Sequence, residues 1–181
     1  MKRMLPIVIV AALCAAALLT PVGIYVAGAF QPVEAVTAGR AANSITSLEG
    51  RPALILLYGP RCQLSRSLMP QFVALSRRAT AGGADVLVYG TGGGIDALLV
   101  GGFLAENDAP FPARRILPWK PGELSSEFWS AGILVGSQWM RPLVAVRSRE
   151  GHIIYQEQGV QDLGPAAKVL ERELRSGATE S

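Results

Sequence analysis

The sequence predicts an α/β domain, a mixed central sheet with helices on both faces, led by one apolar N-terminal helix. Three observations point there. Apolar runs of strand type alternate with helical periodicity in the order strand–helix–strand–helix, then strand–strand–helix. A parallel half built by crossovers and an antiparallel hairpin half combine into one sheet only as a mixed sheet. Ahead of both lie 26 residues, Leu5 to Phe30, without a single charge.

The 181 residues suffice for one domain and a targeting segment, not for two full cores. Basic residues number 17 and acidic ones 14. Lys2 and Arg3 precede the apolar run, so the remainder is nearly balanced, and a basic nucleic-acid surface is not expected. Of the two cysteines, Cys14 lies in the apolar run and Cys62 in the globular part, so no structural disulfide is expected within the domain. With His152 as the one histidine, a zinc or copper site of soft ligands is not expected either, nor any other cofactor.

The apolar run exceeds the ~7–15 residues of a secretory signal core and reaches the ~20 that a spanning helix needs. Residues 1–30 are therefore expected to be a membrane anchor. The Lys2-Arg3 lead keeps the N-terminus in the cytoplasm and places the rest outside, at the periplasmic face of a bacterial inner membrane. The alternative is a cleaved signal, since Ala27-Gly28-Ala29 has the small-x-small form of a cleavage site. Residues 31–49, rich in Ala, Thr, Ser and Asn, are expected as a linker, 50–175 as the domain, and 176–181 as a disordered tail.

Within the domain, Pro52 to Tyr58 is a continuous apolar run bounded by Pro52 and Gly59, which suits a strand buried on both faces. Ser65 to Arg78 has helical spacing at Leu68, Phe72, Val73 and Leu75. Ala84 to Tyr89 reads as a second strand, and Gly90-Thr-Gly-Gly-Gly94 leads into a helix over Ile95–Asn107. That glycine cluster lacks the Gly-Lys-Ser/Thr ending and the GxGxxG spacing of phosphate loops, so a flexible turn is the reading. Phe111 to Leu117 is a short extra strand and Ser125 to Leu134 a helix. Leu143–Val146 and His152–Tyr155 form a hairpin, and Leu163 to Arg175 closes the domain as an amphipathic helix.

On these residues the chain resembles the thioredoxin superfamily. The family places a redox cysteine just after its first buried strand, with a helix-kinking proline eight positions on. Here Leu54–Tyr58 is followed by Cys62-Gln63-Leu64-Ser65 and then Pro70. Arg141-Pro142-Leu-Val-Ala-Val146 is similar to the family's cis-proline segment, and Phe103 to Pro112 to an insertion of its membrane-anchored TlpA-like and peroxiredoxin-like branches. The resemblance covers roughly residues 35–175 and implies a thioredoxin-like sheet and thiol chemistry at Cys62. Departures are plain. The motif is a degenerate CxxS with Ser65 at the second cysteine, Arg61 replaces the usual tryptophan, and Leu56 stands where a buried acid is usual.

Dithiol chemistry needs a resolving thiol beside the first, so Ser65 excludes a self-contained dithiol mechanism. A single nucleophile remains. Cys62 is expected at a helix N-terminus, where unpaired N–H groups favour a thiolate. Arg61 and Arg66 flank it in sequence, and the resemblance brings Arg141 beside it in space; all three are expected to stabilise the thiolate or hold an anionic partner. Ser65 is expected to donate to the thiolate or to cap the helix, and Pro142 to shape the groove that Trp139 lines. A peroxidase is disfavoured, because Gly59 stands where the peroxidatic arrangement has threonine.

The expected function is thus a tethered periplasmic protein engaging thiols or disulfides of envelope proteins through Cys62, with a small external thiol resolving the adduct. The alternative is a non-catalytic interaction module that uses the same groove.

Overall fold

A computed structural model describes residues 12–14, 16, 21–48, 50–92, 95–117, 121–135 and 140–178. The first strand of the predicted core is its centre. β2 (Ala53–Tyr58) buries all six side chains, because neighbouring strands flank it and helices cover both its faces. It pairs in parallel with β3 (Asp85–Thr91), with Leu56 opposite Val88, and antiparallel with β5 (Leu143–Arg147), with Leu56 opposite Val144. β5 continues into β6 (Ile153–Gln158) through a hairpin, and β4 (Arg114–Leu117) extends the parallel side. The six-stranded sheet has the order β1-β4-β3-β2-β5-β6.

The outermost parallel strand is a correction to the linker expected over 31–49. β1 (Glu34–Thr37) pairs with β4, and α2 (Ala38–Thr46) follows at once, with the Thr37 side chain accepting from the Arg40 N–H as its N-cap. α2 buries Ala38, Ala41, Ala42 and Ile45. These positions fall at i, i+3, i+4 and i+7, one helical face. A stretch composed like a tether is folded because alanines let α2 lie close against the sheet.

Alternation along β2 sends Leu54, Leu56 and Tyr58 to one face and Ala53, Ile55 and Leu57 to the other. The first face is covered by α3 (Gln63–Ala81), α4 (Asp96–Glu106) and α6 (Gly164–Ala178), through Leu68, Phe72, Phe103 and Leu170 among others. The second is covered by α2 and α5 (Pro121–Ser130), through Ile45, Leu124 and Phe128. Fully burying such side chains stabilises by roughly 1.5–3 kcal/mol each.

A helix packs on the domain just ahead of the sheet. α1 (Pro21–Ala29) is the last part of the uncharged run and lies against α4. A Cβ placed on Gly28 would fall 2.4 Å from the Ala105 Cβ and 2.7 Å from the Gly101 carbonyl oxygen. One placed on Gly101 would fall 2.2 Å from the Gly28 carbonyl oxygen. Only glycine permits this backbone approach. No helix among the described residues is long and apolar enough to cross a membrane. Most of the expected anchor, residues 1–11 and 17–20, lies outside the described residues.

Candidate functional site

The site forms where β2 ends and α3 begins. Gly59 and Pro60 turn the chain, and the Cys62 N–H donates to the Gly59 carbonyl at 2.9 Å. Cys62 takes the N-cap position of α3 with an extended backbone (φ −78°, ψ 122°), and its carbonyl accepts the Arg66 N–H at 3.0 Å. Its side chain makes no capping bond, so the thiol is directed out of the helix. It is free and half-buried, and its Sγ lies 3.5 Å from the Arg141 carbonyl oxygen, the acceptor for its S–H.

Ser65 is buried one turn into α3, where its Oγ accepts the Gly59 N–H at 3.2 Å. This bond ties the turn to the helix, a different job from the cap or thiolate donor expected from sequence. Across the turn, the Arg141–Pro142 peptide bond is cis, and Pro142 is buried at the start of β5. The Pro142 carbonyl accepts the Gly159 N–H at 2.8 Å, which fixes this loop to the end of β6. The Arg141 side chain lies across Gly59: a Cβ there would meet its Cδ at 2.9 Å and its Nη1 at 3.0 Å, with the Cys62 Cβ at 3.4 Å. Cys62, Ser65, Arg141 and Pro142 thus meet around Gly59. Trp139 lies outside the described residues.

The other two arginines reach the site but are engaged elsewhere. The Arg61 Nε sits 2.6 Å from the Asp96 carboxylate, whose side chain is only 5% exposed. Arg66 pairs with Glu106 at 3.4 Å, and its guanidinium stands 5.6 Å above the Phe103 ring. Both acids belong to α4, one at each end. The two guanidiniums therefore clamp α4 to the cysteine turn, and their charge is met by carboxylates, so the positive field at Cys62 is weaker than a count of arginines implies. Asp96 and Glu106 were missed in the sequence: Asp96 follows a glycine cluster that reads as a turn, and its partner is 35 positions away.

Beneath the site, the Tyr58 ring packs 5.4 Å from Phe103, and burial holds its phenol far above the ordinary tyrosine range. It is a neutral group at any ordinary pH and supplies no charge to the site. Among the described residues no cluster of three or more His, Cys, Asp or Glu side chains is placed to hold a metal.

The fold has clear structural counterparts among solved proteins. A thiol:disulfide interchange protein of the thioredoxin family from Chlorobium tepidum TLS superposes with a TM-score of 0.57 at 17% identity, covering 80% of this chain and 97% of that one. The fold is thioredoxin-like. The same thioredoxin-like frame appears in a thioredoxin-like protein solved in its oxidised form (TM-score 0.56, 18% identity, 78% of this chain and 85% of that one). A putative thioredoxin from Neisseria meningitidis also shares it (TM-score 0.53, 16% identity, 74% and 79%). At these identities the likeness establishes the fold alone. No protein-family model matches the chain, and no curated protein sequence matches it.

Proposed function

We infer that the chain is a membrane-tethered, periplasm-facing thioredoxin-like protein that engages thiols or disulfides of envelope proteins through Cys62 alone. The observation that carries this reading is the half-buried Cys62 thiol at the N-terminus of α3, with a hydroxyl and not a second thiol one turn on. The TlpA-like branch of the superfamily is the assignment we propose, on the N-terminal run and the Phe103–Pro112 segment. The thioredoxin-like fold supports a thiol-engaging role, since relatives of that shape include thiol:disulfide interchange proteins.

The chemistry is an exchange of sulfurs. The Cys62 thiolate attacks one sulfur of a partner disulfide, the S–S bond breaks, and the partner's other sulfur leaves as a thiolate. An external thiolate then attacks the mixed disulfide, forms a new disulfide with the partner's sulfur, and returns Cys62 as thiolate. No net oxidation of this chain occurs. Arg141 lies beside the attacking sulfur, Arg61 and Arg66 hold the turn, Ser65 braces it, and Pro142 shapes the groove.

The reading is tested by incubating the folded protein with glutathione disulfide and locating the adduct by peptide mass. Modification of Cys62, abolished by Cys62→Ser, is expected. If Cys62 is modified only after denaturation, the groove serves as a non-catalytic interaction module, for which the missing resolving thiol is the favouring observation.

A further inference from the structure

We propose that α1 and α4 form an apolar platform seated on the lipid surface, holding the Cys62 turn at the membrane face and not at the end of a free tether. The proposal rests on the membrane-anchor reading above and goes beyond it, because an anchored domain need not touch lipid.

Exposed apolar surface is concentrated here. Of the ten large hydrophobic side chains exposed among the described residues, six belong to the apolar run or to the first turn of α4 and its lead-in: Leu13, Ile24, Val26, Phe30, Ile95 and Leu98. Phe30 is 83% exposed and Leu98 57%. Leu98 precedes Gly101, Gly102 and Ala105 at helical spacing, so it lies on the stripe of α4 that α1 packs against. The charges at the two ends of α4 do not interrupt this face: Asp96 is buried under Arg61, and Glu106 is paired with Arg66. From Ala97 to Ala105 the sequence contains no polar side chain. An unpaired apolar patch of this kind on a soluble surface calls for a cover.

Continuity with the uncharged run identifies the cover as lipid. A hydrocarbon core of about 30 Å takes up ~20 helical residues at ~1.5 Å each. On the membrane-anchor reading, a span of that length counted along the sequence from Leu5 ends near Ile24, which leaves Tyr25 to Phe30 for the headgroup zone, where aromatic side chains are favoured. Tyr25 and Gly28 touch α4: a Cβ on Gly102 would meet the Tyr25 carbonyl oxygen at 2.6 Å, and Gly28 meets Gly101 and Ala105. α4 is therefore carried at the depth of the headgroups. Tyr25 and Val33 also pack on the main core cluster. Cleavage after Ala29 would strip α1 from this cluster and bare the glycine face of α4, which supports retention of the run. Since α4 is clamped to the cysteine turn, the partner class narrows to membrane proteins whose thiols or disulfides lie just outside the outer face of the bilayer.

The test places an environment-sensitive NBD probe at single cysteines in the full chain with Cys14→Ser and Cys62→Ser, reconstituted in phosphatidylcholine/phosphatidylglycerol vesicles. Probes go at Leu98→Cys and Ile24→Cys on the platform, at Glu127→Cys on the opposite face of the sheet, and at Val8→Cys in the run. Headgroup-proximal nitroxide lipids should quench most of the emission at Leu98 and Ile24 and leave Glu127 unchanged. Quenching at Val8 with Leu98 and Glu127 equally unaffected would overturn the platform and leave the anchor standing. Absence of quenching at Val8 would overturn the anchor and the platform with it. Blue-shifted emission at Leu98 that nitroxide lipids do not quench would overturn the lipid assignment in favour of a protein cover.

Discussion

α3 and α4 lie together on one face of the sheet and both contribute to the cysteine turn, yet their outer surfaces are built oppositely. α3 buries Leu68, Met69, Phe72 and Leu75 and turns Gln63, Arg66, Gln71, Arg77 and Arg78 outward. It is amphipathic in the ordinary sense of a helix between core and water. α4 buries Val100, Phe103 and Leu104 against the core, and between its end residues Asp96 and Glu106 the rest of its sequence is glycine, alanine and leucine, covered in part by α1. The difference is that α3 divides its surface between core and water, whereas α4 divides its surface between core and α1 and still leaves Leu98 exposed. The cysteine stands at the water-facing helix, while the helix that steadies its turn is the apolar one.

The largest effect expected from breaking this contrast is at the α1–α4 contact. Gly101→Leu places a side chain where the Gly28 carbonyl already lies, and α1 has no flexible group to move aside. Overpacking of this kind costs about 1–3 kcal/mol. α1 should leave α4, measured as new protease cleavage between Ala29 and Glu34 with the sheet intact. Unchanged resistance would show that the two helices are not in contact.

A smaller effect separates the partners of the Arg61–Asp96 pair. Arg61 is 65% exposed and Asp96 5%. Arg61→Ala leaves a buried carboxylate without its cation, costing on the order of 1–3 kcal/mol. Asp96→Asn leaves an arginine that water can solvate, costing less than about 1 kcal/mol. Thermal unfolding should therefore show a larger drop in Tm for Arg61→Ala than for Asp96→Asn. Equal drops would mean that the pair is solvated at both ends and does not clamp α4.

What the sequence disclosed follows the same division. β2, the β5–β6 hairpin and the closing helix α6 were legible because large apolar side chains recur at strand or helix period and are bounded by Pro and Gly. β1 and α2 were hidden because their buried residues are mainly alanines in a stretch of Thr, Ser and Asn, which composition reads as a tether. α1 was legible as apolar and not as packed, since its contact is made by glycine backbones and leaves no side-chain signature. At the site, Cys62 and Ser65 lie on one turn and Arg141 comes beside it from the cis-proline segment, a juxtaposition that only the family resemblance implied. The partners of Arg61 and Arg66 were not readable, because ion pairs between α3 and α4 depend on how two helices lie on the sheet. Ser65 was readable as the missing thiol, but its bond to Gly59 required the turn itself.

Whether Cys62 works as a single nucleophile is decided by trapping its adducts in cells. Cells expressing the full chain are quenched with acid, alkylated and resolved without reductant. Mixed disulfides of this chain that disappear on reduction and are absent for Cys62→Ser are expected. They should also be depleted for Ser65→Cys, because a thiol at that position resolves the adduct from within. The absence of any Cys62-dependent adduct, with Cys62 fully alkylated and the protein folded, would overturn that role.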